Sequence, residues 1–544
     1  ALMTELPQPP NQPPTPSGYG HLPGPPQQGY GFPPPGENPY AQQPVHPPQP
    51  PTMPQQVVGP GGPGSGPGAA PKKKKTVLLI AASVAAALVL GGVGYVAFSG
   101  DDKDPKPVAQ EPTDAKPSGS PSVDKGDGNG NGKGSDIPTD LNEGRKPGED
   151  KALWLKTAKM EGPGAGIPAH GMWVVGDAVV KTVDKSVIGY GVSDGKEKWK
   201  IDLRTKICGL TGQTTPDGKT VVVVENADGS NCNQMKLIDL KAGKEGWTKE
   251  VVMEGPFKEA VSATVSLDGD TFALAWVGGQ GAYRLSTGDK LFSDAGPEGC
   301  KPTTYAAGNN KMIAVALCLD ADKTIEIQDA DPNTGKKTWS YRLPKGFEVN
   351  AVYSVSPTVI DIGNRDTKQR AILVLDEKGQ KRNTLSGEGD FVVNCGGSST
   401  SEGLQNCGNS AVDADTVYLA GGDKSTGSEI VAFDLGTGKI KWRTKAGDKK
   451  LLIPLDAAKG RLTAYRASIV GEPGEIVSFP ADGGAPQTLL KLPSGPSARI
   501  EGSFLSASFV ASQSAAYVDG RFFLSTTRLL GENKDEKLLM AFGK

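Results

Sequence analysis

Six cysteines are the residues best suited to chemistry in this sequence: Cys208, Cys232, Cys300, Cys318, Cys395 and Cys407. An even number of cysteines is typical of a disulfide framework formed outside the cytoplasm. Zinc sites and dithiol redox centres commonly need a C-x-x-C pair, and no such pair occurs here. The alternative to disulfides is a set of buried free thiols. The cysteine positions by themselves leave the connectivity open.

The sequence offers few histidines for acid–base catalysis or metal binding, because His170 is the only histidine beyond residue 46. It lies in GIPAHGMW, where we expect a loop with a solvent-facing side chain. No phosphate-binding, dinucleotide-binding or nucleophile-elbow motif occurs. DGNGNG (127–132) alternates acidic or amide residues with glycine, as a calcium-binding loop does. Pro138, however, occupies the position at which such a loop needs a glutamate. We therefore predict no catalytic residue, no metal site and no cofactor, which leaves enzymatic activity unsupported.

An apolar stretch, Thr76–Phe98, contains 23 residues and no charged side chain. About 20 apolar residues are enough for a helix to cross the hydrocarbon core of a membrane. Four lysines (Lys72–Lys75) precede this stretch and an acidic segment (Asp101–Asp104) follows it. Because basic residues remain on the cytoplasmic side, we predict one transmembrane helix with the N-terminus inside. A cleaved signal peptide is the alternative interpretation.

Low-complexity segments flank the predicted span. Residues 1–71 hold 23 of the 45 prolines, which predicts a disordered cytoplasmic tail. Residues 99–150 contain no aromatic residue and predict a flexible linker with a reach of roughly 40 Å. The net charge of −2 offers no basic face for nucleic acid, so we predict no nucleic-acid partner.

A repeated pattern runs through residues 151–544. Four copies combine a Gly-Lys turn, a tryptophan and an alternating strand: SDGKEKWKIDL (193–203), KAGKEGWTKEV (241–251), NTGKKTWSYRL (333–343) and GTGKIKWRTKA (436–446). More apolar segments precede each turn, as expected of strands joined by hairpins. Weaker copies fill the gaps, and Trp199 and Trp247 are 48 residues apart.

This period, with four strands in each unit, is typical of a β-propeller. Residues 151–544 hold about eight such units. We therefore predict an all-β, eight-bladed propeller, with seven blades and a decorated loop as the alternative. The last unit (521–544) stops at its Gly-Lys, and KALWLKTAK (151–159) has the tryptophan strand that this unit lacks. We predict that the two ends of the domain close the ring together, which protects the strand edges.

The repeat also assigns structural roles to its aromatic residues and cysteines. We expect the aromatic side chains to pack between blades; they are Trp154, Trp199, Trp247, Phe292, Trp339 and Trp442. Cys208 and Cys300 lie in the first strand of a unit, and Cys232 and Cys318 lie near its second strand. Since neighbouring strands bring such positions within bridging distance, we predict the pairs 208–232, 300–318 and 395–407.

The D-x-x-T/A-G-K-x-x-W repeat resembles the PQQ-type (quinoprotein-like, BamB-like) β-propeller family over residues 151–544. That family includes quinoprotein alcohol dehydrogenases, and it also includes non-catalytic assembly lipoproteins and sensor domains. The resemblance implies, for the dehydrogenases, two adjacent bridged cysteines over a quinone with bound calcium, but this sequence has no adjacent cysteines. The tail, basic cluster, span and propeller are together similar to membrane-anchored actinobacterial proteins.

These observations favour a non-catalytic propeller displayed outside the cytoplasmic membrane. We expect it to bind an envelope protein, a cell-wall component or a small ligand through the irregular loops at 386–410 and 493–515. One alternative is a quinoprotein-like oxidoreductase. Another is a sensor that signals through the proline-rich tail to a cytoplasmic partner.

Overall fold

The computed structural model describes residues 137–251, 260–293, 299–387, 391, 403–405, 407–422, 428–468, 470–508 and 514–544. The predicted tail (1–71), the basic cluster and span (72–98), the linker up to residue 136, and Cys395 all lie outside these ranges. Within the described ranges, no helix combines the length and apolar character that crossing a membrane requires.

Two strands precede the first complete blade, namely β1 (Lys151–Glu161) and β2 (Ile167–Pro168). Blade 1 contains β3 (Met172–Val175), β4 (Ala178–Val183), β5 (Ser186–Gly191) and β6 (Glu197–Asp202). Blade 2 contains β7 (Ile207–Leu210), β8 (Lys219–Glu225), β9 (Cys232–Asp239) and β10 (Lys244–Glu250). Blade 3 contains β11 (Thr264–Asp268), β12 (Thr271–Trp276), β13 (Gly279–Arg284) and β14 (Lys290–Phe292). Blade 4 contains β15 (Cys300–Gly308), β16 (Lys311–Cys318), β17 (Ile325–Ala330) and β18 (Lys337–Arg342).

The second half of the ring repeats the arrangement. Blade 5 contains β19 (Phe347–Val355), β20 (Thr358–Asn364), β21 (Arg370–Leu375) and β22 (Lys381–Thr384). Blade 6 contains β23 (Ser410–Val412), β24 (Thr416–Gly421), β25 (Glu429–Asp434) and β26 (Ile440–Lys445). Blade 7 contains β27 (Lys450–Ala458), β28 (Arg461–Ser468), β29 (Glu475–Phe479) and β30 (Gln487–Lys491). Helix α1 (Pro496–Ser508) then leads to β31 (Ala515–Val518), β32 (Arg521–Ser525), β33 (Arg528–Leu529) and β34 (Glu532–Gly543).

Blade 8 is built from both ends of the domain. Its strand order is β31, β32, β34 and β1, with Trp154 opposite Ala541 in an antiparallel ladder. The strand near residue 151 therefore completes the last blade, as the sequence predicted. With this blade the described residues form eight four-stranded sheets, which confirms the eight-bladed fold and excludes the seven-bladed alternative.

Burial explains the composition of the strands. The second strand of blade 2, KTVVVVE in β8, is buried on both sides, and β-branched residues suit that position. The outer strand β10 alternates between exposed and half-buried residues because it covers the blade edge. Apolar clusters fill the spaces between blades; one of them joins Trp173 of blade 1 to Val222 of blade 2.

The strand connections alternate between two faces of the ring. We call one the turn face, because it carries the first-to-second and third-to-fourth strand turns of each blade, including the Gly-Lys turns. We call the other the loop face, because it carries the second-to-third strand loops and the connections between blades. The described parts of the predicted irregular loops at 386–410 and 493–515 lie in connections between blades, on the loop face.

The same contact joins a glycine and a tryptophan at five blade boundaries. In five blades the glycine of the turn between the third and fourth strands lies on the tryptophan of the preceding blade, so that an added Cβ would come within about 3 Å of the indole ring. Two of these glycines, Gly195 and Gly243, belong to Gly-Lys turns. Five pairs share this contact: Gly195–Trp154, Gly243–Trp199, Gly288–Trp247, Gly379–Trp339 and Gly483–Trp442. These glycines also have positive φ angles, which other residues rarely adopt. Phe292 packs in the same interblade layer, against a cluster of buried alanines.

Residues just before β1 also pack against the ring. The Asn142 side chain accepts a hydrogen bond from the Ala152 N–H and donates one to the Ala152 carbonyl, both at 2.9 Å. The Glu149 carboxylate accepts hydrogen bonds from the N–H and hydroxyl of Ser494 at 2.8 and 2.6 Å. The last part of the segment that we expected to be linker is therefore in contact with blade 7.

Candidate functional site

The candidate site is the loop face together with the channel that opens onto it. The eight innermost strands line this channel, and each turns one unpaired edge towards the axis. Residues Gly403–Gln405, which we call the channel segment, come from the connection between blades 5 and 6. Gly403 lies near Thr264 of blade 3, and the carbonyl of Leu404 accepts a hydrogen bond from the Val352 N–H of blade 5 at 2.9 Å. The segment therefore spans the inner strands of three blades.

Gln405 binds the open edge of blade 4 in the way a neighbouring strand would. Its Oε1 accepts from the Ala307 N–H at 2.7 Å, and its Nε2 donates to the Ala307 carbonyl at 2.8 Å. Gln213 supplies a second amide at this place, since it donates to the same carbonyl and accepts from the Leu267 N–H at 2.9 Å. Two glutamine side chains thus satisfy backbone groups that would otherwise be unpaired.

One group of possible metal ligands is present among the described residues, in blade 4, which neighbours the channel segment. The channel segment and the Leu404 side chain lie against the inner strands of blades 4 and 5. The sulfurs of Cys300 and Cys318 and a Glu326 carboxylate oxygen lie within 4.8 Å of one another. Both sulfurs already form a disulfide, so this group is not a ligand set for a metal. We therefore assign no cofactor chemistry to these residues.

Disulfides constrain the connections of the loop face. The predicted Cys208–Cys232 and Cys300–Cys318 bridges are confirmed, at sequence separations of 24 and 18 residues. Cys407 is also disulfide-bonded, and its predicted partner Cys395 lies outside the described residues. Both confirmed bridges lie where β9 and β16 meet the loop face, so they fix the loops at those positions.

Helix α1 covers the loop face between blades 7 and 8. Its Glu501 is 1% exposed, and its carboxylate accepts hydrogen bonds from the Tyr465 hydroxyl and from the Gly474 N–H, the latter at 3.1 Å. Burial raises the pKa of Glu501 to about 7, although these hydrogen bonds oppose the shift. Burial also raises the pKa of Tyr465 well above its ordinary value, so its hydroxyl remains a donor.

Apolar side chains are also exposed on this face. Six large hydrophobic residues stand out as exposed among the described residues, and five of them occupy loop-face connections. These five are Val261, Val277, Leu319, Val470 and Leu530. The sixth, Val518, lies on the turn face. Sequence reasoning did not find them, because isolated aliphatic residues in loops carry no pattern.

His170 differs from the prediction of a solvent-facing side chain. It is half-buried and lines a small cavity with Thr182 and Asp184. Burial, with Lys181 and Arg528 nearby, lowers its pKa to about 4. The imidazole is therefore neutral near pH 7, and its place beside β2 and β33 indicates packing at the ring closure.

Comparison with known proteins supports a propeller of this repeat type. Residues 145–301 match the family model described as outer membrane protein assembly factor BamB, a stretch that includes β1 and blades 1 to 3. No curated protein matches the chain.

Three solved structures are similar to the chain at low identity. BamB from Moraxella catarrhalis is 15% identical with a TM-score of 0.40, covering 69% of this chain and 96% of that one. A quinohemoprotein alcohol dehydrogenase from Comamonas testosteroni is 12% identical with a TM-score of 0.44, covering 74% and 77%. Another, from Pseudomonas putida, is 12% identical with a TM-score of 0.43, covering 74% and 79%. Such values say nothing about function, and the eight-bladed fold rests on the strand pairing described above.

Proposed function

We propose that this protein is a non-catalytic scaffold, anchored in the cytoplasmic membrane, that binds another protein through its loop face. The observation that carries this proposal is the one-sided placement of exposed aliphatic residues. Leu319 is 72% exposed and Val277 is 61% exposed, on blades 4 and 3 respectively. Single exposed aliphatic residues are ordinary, but a concentration on one face is typical of protein-binding surfaces.

The rigidity of the loop face supports the same function. The Cys208–Cys232 bridge lies in blade 2 and the Cys300–Cys318 bridge lies in blade 4, on either side of Val277. Loops fixed before binding lose less conformational entropy when a partner arrives, which increases affinity.

Site-specific photocrosslinking of the full chain in its own membrane tests this proposal. A photoreactive residue replaces Leu319 in one variant and Val277 in another, and Val518 on the turn face is the matched control. We expect the two loop-face positions to crosslink to the same protein and Val518 to give no such product. Leu319→Asp should then weaken the recovery of that protein, while Val518→Asp should not.

Two results would contradict the proposal. One is an equal crosslinking yield from Val518, because this would indicate contact without preference for a face. The other is dye reduction by the full chain that depends on added quinone and calcium. That result would replace the scaffold with a quinoprotein-like oxidoreductase.

A further inference from the structure

A polar cavity of about 450 Å³ lies on the turn face, where blade 8 meets blade 1. Arg521 lines it from blade 8, and Asp177, Ser193, Asp194, Lys196 and Lys198 line it from blade 1. Small-molecule sites commonly have volumes of roughly 300–1,000 Å³. The five exposed aliphatic residues of the loop face lie on the opposite side of the ring, so a ligand could bind here whether or not the loop face binds a protein.

The charged side chains that line this cavity leave an excess of one positive charge. Lys198 forms an ion pair with Asp177, and Lys196 forms one with Asp194 at 3.5 Å. Arg521 has no ion pair and no side-chain hydrogen bond among the described residues. Arg521 therefore lines the cavity with a positive charge that no ion pair of the described residues compensates.

The other blades show how unusual this arginine is. Four blades place a basic residue at the first position of their second strand: Lys219, Lys311, Arg461 and Arg521. Lys219 pairs with Asp217 at 2.8 Å, and Arg461 donates to the Ser478 hydroxyl at 3.1 Å. Lys311 pairs with Glu377 at 3.2 Å, across the boundary between blades 4 and 5. Only at Arg521 is an equivalent partner missing from the described residues.

The neighbouring turn of blade 1 lacks the carboxylate that Lys311 finds in blade 5. Glu377 lies two residues before Gly379, the turn glycine of blade 5 that contacts the tryptophan of the preceding blade. In blade 1 the corresponding glycine is Gly195, and two residues before it stands Ser193. A hydroxyl group thus stands where blade 5 has the carboxylate that pairs with Lys311. Asp519, the counterpart of the Asp217 that pairs with Lys219, forms no ion pair with Arg521 in the described structure.

We propose that this cavity is a binding site for a small oxyanion, a carboxylate or phosphate group carried by a polar ligand. Arginine presents a planar fork of donors that matches both groups, and charge-assisted pairs of this kind are the stronger hydrogen bonds. The Ser193 hydroxyl lies on the cavity wall as an additional hydrogen-bonding group. The two lysine–carboxylate pairs surround the anion with polar groups without adding net charge.

Isothermal titration of the full chain with inorganic phosphate and, separately, with citrate tests the site. We expect saturable binding of at least one probe to the unmodified protein. Arg521→Gln should raise Kd at least about tenfold, the loss expected when a charge-assisted interaction is removed. Ser193→Glu should abolish binding as well, because the new carboxylate would pair with Arg521 as Glu377 pairs with Lys311. Whichever probe binds more tightly identifies the group as phosphate or carboxylate.

Arg461→Gln is the matched control, since it removes the equivalent arginine of blade 7 and should leave Kd unchanged. Unaltered circular dichroism spectra of all variants would show that the ring is intact. Equal weakening by Arg521→Gln and Arg461→Gln would overturn the proposal, because it indicates general surface attraction. Absence of saturable binding for both probes would overturn it too.

Discussion

The two faces of this propeller follow different rules. On the turn face the same glycine–tryptophan contact recurs at five blade boundaries, and the connections that make it are short. The loop face shows no such repeat. It carries the disulfides, the channel segment, helix α1 and the exposed aliphatic residues, and these features differ from one blade to the next. The turn face therefore holds the ring together, which restricts its sequence, whereas the loop face tolerates insertions and can carry a specific function.

Removing the closing tryptophan should produce the largest loss of stability. Trp154 is 6% exposed, packs 6.2 Å from Phe523, and donates to the Val192 carbonyl at 3.1 Å. We expect Trp154→Ala to cost about 3–5 kcal/mol, because it leaves a cavity at the junction of the two chain ends. Denaturant unfolding followed by circular dichroism measures this loss.

Trp199→Ala is the comparison that sharpens this test. Trp199 makes the same glycine contact, but it is only half-buried and its indole N–H has no acceptor in the described structure. Trp199→Ala should therefore lower the free energy of unfolding by less than Trp154→Ala does. An equal or larger loss for Trp199 would mean that ring closure places no special demand on the turn face.

The turn face could be predicted from sequence because its contact is periodic. A glycine that must approach an indole ring can be replaced by few residues, as at Gly195 and Gly243 in two of the strong copies. The same periodicity predicted the closing strand near Trp154 and the blade count. The pairing of Cys300 with Cys318 followed because both lie in adjacent strands of one blade.

Apart from its disulfides, the loop face could not be predicted in this way, because its other contacts join distant parts of the sequence without a repeat. Gln405 and Ala307 are 98 residues apart, and neither lies in a motif. The role that we propose for Arg521 could not be predicted either, because it depends on Ser193, which belongs to a blade at the opposite end of the chain. Helix α1 lies inside a segment that the sequence marked only as irregular.

Loss of the Gln405 amide should have an intermediate effect confined to the channel. Gln405→Ala removes two hydrogen bonds to Ala307 and leaves part of an inner strand edge unsatisfied, at a cost of about 2 kcal/mol. Amide hydrogen exchange at Ala307 should become faster, while exchange in blade 1 should not change. Gln369→Ala, at an exposed position of blade 5, is the control. Unchanged exchange at Ala307 would show that the channel segment is not held by this amide.

The effect with the smallest slope is a pH dependence of stability that arises from Glu501 on the loop face. Because burial raises the pKa of Glu501 to about 7, the folded protein keeps a proton that the unfolded chain loses near its ordinary value of 4.5. The stabilisation from this proton is complete below that value and is lost as pH rises through the folded-state pKa. The free energy of unfolding should therefore fall by about 1 kcal/mol per pH unit between these limits.

Glu501→Gln should remove that slope, because glutamine does not titrate, whereas Glu472→Gln at a neighbouring position that is not buried should retain it. The two variants are distinguished by measuring denaturant unfolding midpoints at several pH values between these two pKa values, together with hydrogen exchange in helix α1. Parallel curves for wild type and Glu501→Gln would mean that the buried carboxyl does not titrate with folding. A convergence of the curves towards low pH would instead place the pH response in helix α1, on the face that we propose binds a partner.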